Sequence, residues 1–221
     1  MAIRNITFTN GEYYHVFNRG VDKRDIFNTK AQQYFFFRRL FLLNSTNTSK
    51  LIANQRSKRK DKEIIANGER LVSIVAYCLL PNHFHLLLRQ NVDNGISQFM
   101  QRLGTSYTKF FNQEENRSGS LFQGKFKAMH LSGDFVLPAL SAYVNLNFKH
   151  HKIDPKNQLV KTSLFEYFDE ELGDRICSQT EIKSIIVVSG GLIEYKKMIK
   201  NASISFADNK NIFLSSSDFE F

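Results

Sequence analysis

Residues Arg70–Arg89 read RLVSIVAYCLLPNHFHLLLR, and this stretch decides the fold that the sequence predicts. Its first half, Arg70–Leu80, is apolar, contains β-branched residues and is long enough for a central strand. Pro81-Asn82 is a turn dipeptide, and the apolar run resumes at His83–Arg89. The two halves therefore predict a β-hairpin.

The segments on either side of the hairpin predict further strands and helices. Tyr13–Arg19 (YYHVFNR) is typical of a strand. Lys30–Leu43 predicts an amphipathic helix, and Ile96–Phe111 predicts a second one, because apolar residues recur in both at helical spacing. The apolar stripes are Tyr34, Phe37, Phe41 and Leu42 in the first helix, and Phe99, Leu103, Tyr107 and Phe111 in the second.

The region after the second helix completes the pattern of a known fold class. Leu121–Leu131 predicts a strand or ribbon, and a third helix is expected from about residue 134 to residue 148. The order strand, helix, strand, strand, helix, strand, helix is that of a ferredoxin-like split βαβ domain of the α+β class. We expect an antiparallel sheet with the helices packed on one face.

Charge divides the 221-residue chain into two parts. Residues 1–152 hold 22 Lys and Arg against 10 Asp and Glu, a formal charge of +12, whereas residues 153–221 hold 8 against 11, a formal charge of −3. We therefore expect a basic domain over 1–152 and a mainly helical extension over 153–221, with a helix over Glu181–Lys200 that Gly190-Gly191 interrupts. A polycationic domain favours nucleic acid as its partner.

The sequence argues against membrane and secreted classes. No stretch approaches the roughly 18 consecutive apolar residues of a membrane span. The first twenty residues lack the apolar block of a signal peptide. Two cysteines, Cys78 and Cys177, are too few for a disulfide framework or a four-thiolate metal site. We expect a soluble, cytoplasmic protein with no membrane partner.

The segment His83-Phe84-His85 is the first candidate for chemistry. Residues two apart on a strand point to the same side of the sheet, so the two imidazoles can hold one cation from a rigid platform. A His-x-His pair is also common in cores and on surfaces, and a metal site requires a third ligand.

Tyr143 and Asn147 form the second candidate. They lie four apart in a predicted helix, so a phenol and an amide oxygen project together and could share a metal-bound phosphate. A tyrosine that packs its ring on a sheet is the ordinary alternative. Tyr107, by contrast, has Leu103 and Phe111 one turn away on either side, which is typical of a core residue.

Four blocks of the sequence resemble one family. In order along the chain they are Tyr14–Gly20 (YHVFNRG), Pro81–Leu87 (PNHFHLL), Gly119–Lys127 (GSLFQGKFK) and Tyr143–Asn147 (YVNLN). Together, spanning about residues 10 to 150, they are similar to the REP-associated tyrosine transposases, which belong to the single-tyrosine transposases of the HUH class. Many relatives have His at the position of Asn145 and Pro at that of Phe148, and the Asn44–Gly68 insert, which carries a basic run, is long for the family.

The resemblance implies a ferredoxin-like nuclease domain that acts on single-stranded DNA, often beside a hairpin. By motif position, His83 and His85 would be the metal-binding pair, Asn147 the third protein ligand and Tyr143 the nucleophile. Mg²⁺ or Mn²⁺ suits two imidazoles, one amide oxygen and open positions for phosphate and water. Attack by the phenol would leave a 5′-phosphotyrosine linkage and a free 3′-OH, so strand transfer would need no ATP.

Residues elsewhere in the basic part are candidates for contact with DNA. Cations can bind phosphates and phenylalanines can stack on unpaired bases, although solvated charge and core packing are the ordinary alternatives. The remaining histidines are candidates for auxiliary ligands or phosphate contacts. The DNA-contact candidates are Arg19, Arg117, Phe122, Lys125 and Lys127, with Phe126 as a second stacking residue, and the auxiliary histidines are His15, His130, His150 and His151.

Other functions remain open at the level of sequence. A domesticated hairpin-binding protein without transposition activity would keep the same residues. An RNA-binding split βαβ module would use the aromatic residues for stacking, but the aromatic-rich motif of that class is missing. A zinc hydrolase is disfavoured because no carboxylate or thiolate accompanies the histidine pair. Both a monomer and a homodimer are compatible with the sequence.

Overall fold

The computed structural model describes residues 6–47, 68–131, 136–154, 156–168 and 174–207. Within them, five strands form one antiparallel sheet in the order β4-β1-β3-β2-β5. The strands are β1 (Tyr13–Arg19), β2 (Val72–Leu80), β3 (His83–Gln90), β4 (Lys127–Leu131) and the short β5 (Lys161–Thr162). The basic run of the Asn44–Gly68 insert falls in residues 48–67, outside the described residues.

Helices connect these strands in the predicted order. In the basic part they are α1 (Lys30–Leu42), α2 (Gly95–Glu114), α3 (Val136–Asn145) and the single turn α4 (Asn147–His150). The extension adds α5 (Leu164–Tyr167), α6 (Gln179–Val188) and α7 (Leu192–Ala207). The order β1-α1-β2-β3-α2-β4-α3 confirms the predicted ferredoxin-like α+β fold.

The central hairpin is held at its turn by the segment between β1 and α1. The backbone N–H of Gly20 donates to the carbonyl of Asn82 at 2.9 Å, and those of Ile26 and Phe27 donate to the carbonyl of Pro81 at 2.7 and 2.9 Å. These bonds hold the two residues before His83 in place, so they fix the position at which β3 begins.

The two faces of the sheet carry different side chains. Phe84 of β3 points toward α1 and α2, where its ring lies 5.2 Å from that of Phe36. His85 points to the opposite side, where its ring lies 6.3 Å from that of Tyr143 on α3. We call the first side the phenylalanine face and the second the histidine face. The prediction of helices on one face holds for α1 and α2, whereas α3 covers the other face.

The extension is built onto the same sheet. Its strand β5 pairs with β2, and the hydroxyl of Tyr167 donates to the carbonyl of Val75 at 2.8 Å. Tyr195 of α7 is fully buried and its hydroxyl lies 2.9 Å from that of Ser141 on α3. Gly190 and Gly191 have φ of 86° and 104°, a region that favours glycine, and they separate α6 from α7 as predicted.

Three details differ from the sequence prediction. The buried stripe of α1 is Gln33, Phe36, Phe37 and Leu40, and Tyr34 is half exposed. The strand predicted from Leu121 begins only at Lys127, because Gly124 has a φ of 70° and turns the chain there. The helix predicted to reach residue 148 breaks at Leu146, between α3 and α4, and residues 132–135 lie outside the described residues.

Candidate active site

The two predicted metal-binding histidines share one side of β3. Their ring centroids lie 5.2 Å apart, and the side chains of both are buried. Nδ1 of His83 lies 2.6 Å from Oδ1 of Asn82, and Nδ1 of His85 lies 2.9 Å from Nε2 of His15 on β1. Because Nδ1 of each ring is engaged in this way, Nε2 is the nitrogen that each can offer to a cation.

A third histidine joins this pair. His151 follows α4, and its ring centroid lies 4.4 Å from that of His83 and 6.3 Å from that of His85. One ligand nitrogen from each of the three residues lies within 4.8 Å of the others. From the sequence, His151 is expected only as an auxiliary ligand or a phosphate contact.

Asn147, the predicted third ligand, lies beside His83. Its side chain is fully buried, and neither its carboxamide oxygen nor its nitrogen has a hydrogen-bond partner in the described part of the chain. An unsatisfied buried carboxamide costs about 1–3 kcal/mol, so its presence requires an explanation. A cation that binds the oxygen would supply one.

The local environment keeps the histidine cluster neutral. Burial lowers the pKa of His83 to about 3, an effect that His151 reinforces and that the nearby Asn147 side chain opposes. Burial also lowers the pKa of His15 to about 3 and that of His85 well below its usual value. Burial, together with His150, lowers the pKa of His151 to about 4. At neutral pH all four rings keep the unprotonated nitrogen that a metal ion requires.

Tyr143 lies next to the cluster on α3. Its ring centroid is 5.8 Å from that of His15, 6.3 Å from that of His85 and 5.7 Å from that of His150. The side chain is buried, with 2% of its surface exposed. The break at Leu146 separates Tyr143 and Asn147 into two helices, yet both project toward the histidine face.

Asn145 ties this region to the extension. Its carboxamide oxygen accepts hydrogen bonds from the hydroxyls of Ser163 at 2.7 Å and Thr162 at 3.4 Å. Ser163 also accepts a bond from the backbone N–H of Tyr77 on β2 at 2.9 Å. Asn145 therefore connects α3 to the sheet through the segment around β5.

The candidate DNA-contact residues fall into two groups. Arg19 and Lys127 lie on the histidine face: Arg19 is paired with His83 across the strands, and Lys127 with Phe17. The ammonium of Lys127 lies 5.9 Å from the centroid of the Phe17 ring. These two cations therefore lie on the same side of the sheet as the histidine cluster.

The second group belongs to the other side of the sheet. Phe122, Lys125 and Phe126 help to line a cleft of about 740 Å³ between α2 and the segment that precedes β4. The Phe122 ring lies 5.8 Å from that of Phe84. Arg117 lies at the end of α2, where its guanidinium donates to Asn112 at 2.7 Å and to the carbonyl of Ser120 at 3.0 Å.

The other histidines have separate positions. His15 is the hydrogen-bond partner of His85, and His150 lies next to His151 with ring centroids 5.1 Å apart. His130 lies on β4, where its Nε2 is 3.0 Å from a carboxylate oxygen of Glu12 at the surface. Sequence analysis could not tell these cases apart, because the distinction depends on strand register and on where α4 ends.

With its fold and site described, the chain can be assigned to a class of proteins. It belongs to a transposase family: the family described as transposase IS200 like matches residues 10–147. That range runs from the residues before β1 to Asn147. Membership places the chain among the transposases, a class of DNA-processing enzymes, and confirms the family resemblance found in the sequence.

The fold is shared with a solved structure. It is a REP-associated tyrosine transposase bound to a REP hairpin, with a TM-score of 0.51 and 13% sequence identity. The match covers 80% of this chain and 92% of that chain, so it is longer than the basic part and includes some of the extension. No curated protein matches the chain. Within the described residues, no helix is long and apolar enough to cross a membrane.

Proposed function

We propose that this protein cleaves and rejoins single-stranded DNA through a covalent bond to Tyr143. The observation that carries the proposal is that the Tyr143 ring lies 6.3 Å from that of His85, which shares the histidine face with His83 and Asn147. These four residues come from β3 and from the consecutive helices α3 and α4, which lie more than 40 residues further along the chain. Transposition is the process that this chemistry would serve, in agreement with the family.

In the proposed reaction, the hydroxyl oxygen of Tyr143 attacks a backbone phosphorus atom. The bond between phosphorus and the tyrosine oxygen forms, and the bond between phosphorus and the 3′ oxygen of the neighbouring nucleotide breaks. The phenol loses its proton and the departing oxygen gains one. The products are a 5′-phosphotyrosine linkage and a free 3′-OH, and attack by a 3′-OH on the linkage reverses the step.

His83, His85 and Asn147 are the residues that would hold the divalent cation, Mg²⁺ or Mn²⁺. Their neutral imidazoles and the unsatisfied carboxamide of Asn147 suit such an ion. A phenol with a pKa near 10 is a poor nucleophile at neutral pH, and a bound divalent ion supplies the positive charge that neutralises the attacked phosphate.

His15 would fix the orientation of His85. A metal-binding Nε2 must be unprotonated, so the neutral His85 ring carries its proton at Nδ1 and donates it to Nε2 of His15 at 2.9 Å. His15 then carries its own proton at Nδ1. Hydrogen bonds of this kind hold a ligating ring in place and raise its basicity.

The burial of Tyr143 sets a condition on the reaction. A side chain with 2% exposure can reach a phosphate only after it turns out or its cover moves. His150 packs at 5.7 Å from the ring and is itself partly exposed, so it belongs to the part of the cover nearest the solvent. DNA binding would have to open this side of the site.

Single-stranded or hairpin DNA is the proposed partner. Arg19 and Lys127 would contact phosphates close to Tyr143, while Arg117, Lys125 and Phe122 would contact the strand at the end of α2 and along the cleft. The charge of +12 on residues 1–152 supports this partner, as does the hairpin bound by the protein of similar fold. Residues 153–221, with −3, would support the site from the other side of α3. Ser163 bonds to Asn145, and the hydroxyl of Tyr195 lies next to that of Ser141.

The test is formation of a protein–DNA adduct. The wild-type protein, a labelled single-stranded hairpin oligonucleotide and Mn²⁺ should yield a species that resists denaturation and that does not form when a chelator is present from the start. Tyr143→Phe should yield none, because it lacks the attacking oxygen. Tyr34→Phe is the matched control, since Tyr34 is half exposed on α1 and should leave the adduct unchanged. An undiminished adduct in Tyr143→Phe, or in excess chelator, would reject the proposal.

A further inference from the structure

The turn α4 places a second pair of side chains opposite the histidine pair of β3. The backbone N–H of His151 donates to the carbonyl of Asn147 at 3.1 Å, which closes one helical turn between them. Residues four apart on a helix project from the same side. Asn147 and His151 therefore face the sheet together, as His83 and His85 face the helices together.

The distances within this group fit a single ion. The ligand nitrogens of His83, His85 and His151 lie within 4.8 Å of one another. Two nitrogens bound to one ion at about 2.1 Å can be no more than about 4.2 Å apart. Neighbouring positions on an octahedral ion are about 3.0 Å apart, so side-chain movements that close the widest pair by at most roughly 1.8 Å would bring all three onto one ion.

The chemistry of the donors bears on which ion this is. Imidazole nitrogens suit first-row transition metals, whereas Mg²⁺ prefers a shell of oxygen atoms and gives up its water reluctantly. Three imidazoles and one amide oxygen make a nitrogen-rich set. Four protein ligands would still leave two positions of an octahedral ion open for a phosphate oxygen and water.

We propose that His151 is a fourth protein ligand, and that with His83, His85 and Asn147 it makes a site selective for transition-metal ions such as Mn²⁺ over Mg²⁺. The inference rests on the proposed function for the other three ligands. It adds a ligand and an ion preference that the three-ligand site does not require.

Electron paramagnetic resonance with Mn²⁺ alone measures metal binding at this site without any DNA. Free Mn²⁺ gives a sharp six-line signal that weakens on binding, so a titration yields the affinity and a competing addition of Mg²⁺ yields the selectivity. We expect one Mn²⁺ per chain, retained in an excess of Mg²⁺. His151→Ala should weaken Mn²⁺ binding by at least roughly tenfold, the scale on which even outer partners of a metal site act. The preference of the His151→Ala variant for Mn²⁺ over Mg²⁺ should fall as well.

Three controls keep the result interpretable. His130→Ala removes a surface histidine on β4 and should bind Mn²⁺ as the wild type does. Thermal unfolding without metal shows whether His151→Ala is folded, and His151→Gln tests the same position with a side chain that lacks the imidazole. Unchanged Mn²⁺ affinity in a folded His151 variant, or displacement of Mn²⁺ by an equal concentration of Mg²⁺, would overturn the inference.

The outcomes separate this inference from the proposed function. Loss of Mn²⁺ binding in His83→Ala, together with wild-type binding in His151→Ala, would reject the fourth ligand and leave the metal site of the proposed function intact. Binding that depends on His151 in a protein whose Tyr143 forms no adduct would reject the nucleophile and support the four-ligand site.

Discussion

The two faces of the sheet are both buried, yet the histidine face buries a cluster of polar side chains beside apolar ones such as Phe17. On the phenylalanine face, the ring of Phe36 packs within 5.3 Å of those of Phe27, Phe84 and Tyr107. The one polar group of this cluster, the Tyr107 hydroxyl, donates to the carbonyl of Ile26. The histidine face instead buries His15, His83, His85 and, opposite them, Asn147.

The difference indicates which face stabilises the fold and which face holds the proposed active site. Burial of apolar rings is favourable, whereas a buried polar group costs free energy unless it is bonded. The polar atoms of Asn147 have no such bond in the described residues. A fold built for stability alone would have filled the histidine face with apolar side chains, so we attribute its polar content to the proposed reaction.

The largest expected effect is on the phenylalanine face. Phe36 is fully buried among three aromatic rings, so Phe36→Ala should lower the free energy of unfolding by about 3–5 kcal/mol. Urea denaturation measures this. In any population that stays folded, Mn²⁺ affinity should match the wild type, because Phe36 lies on the other side of the sheet. A stability change within error of zero would contradict the assignment of this face.

The next effect is on the hydrogen bond between His15 and His85. His15→Phe keeps a ring of similar size but removes the acceptor for Nδ1 of His85, so Mn²⁺ affinity should fall roughly 10- to 100-fold. His15→Gln retains an acceptor oxygen and should recover part of the loss. Paramagnetic titration gives both values. Equal affinities in His15→Phe and the wild type would show that the bond does not position the ligand.

At Asn147 we expect a smaller effect on the free energy of unfolding, opposite in sign to that of Phe36→Ala. Asn147→Leu replaces an unsatisfied carboxamide by an apolar side chain of similar size, so the metal-free protein should be unchanged or more stable by about 1 kcal/mol. Adduct formation should be lost. Asn145→Leu is the matched control, because Asn145 accepts a bond from Ser163 and its loss should destabilise. Destabilisation in Asn147→Leu with a normal adduct would remove the contrast between the faces.

The smallest effect concerns the cleft. Lys125 lines the cleft and is exposed. Lys125→Ala should reduce the magnitude of the slope of log affinity against log salt concentration by about 0.7, which is the contribution of one phosphate on a single strand. Lys156→Ala removes an exposed lysine of the extension and should leave the slope unchanged. Binding measured over a series of salt concentrations distinguishes the two. Identical slopes for wild type and Lys125→Ala would exclude a phosphate contact there.

The parts of the fold that sequence predicted well are those with an unambiguous pattern. The hairpin has two apolar runs around one turn, and α2 has a single apolar stripe that is buried as expected. The stripe predicted for α1 was right at Phe37 but wrong at Tyr34, because Tyr34–Phe37 is a continuous run of aromatic residues in which several stripes fit equally well. Only packing against Phe84 and Tyr107 selects Phe36.

The candidate site, too, could be predicted only where a local pattern decides the structure. The shared side of His83 and His85 follows from strand alternation alone, so it could be predicted. The pairing of His15 with His85 depends on the register of β1 against β3, in which His15 is opposite Leu87 and diagonal to His85. The position of His151 depends on the break at Leu146. Neither register nor helix break is encoded by a local pattern.

The central claim is that the histidine face carries out cleavage through Tyr143, and peptide mapping of the adduct tests it most directly. The wild-type protein is incubated with single-stranded hairpin DNA and Mn²⁺, the adduct is digested with protease and nuclease, and mass spectrometry locates the phosphate-linked tyrosine. The account predicts one modified residue, Tyr143. Modification of Tyr107 on the phenylalanine face, or of any tyrosine other than Tyr143, would contradict it.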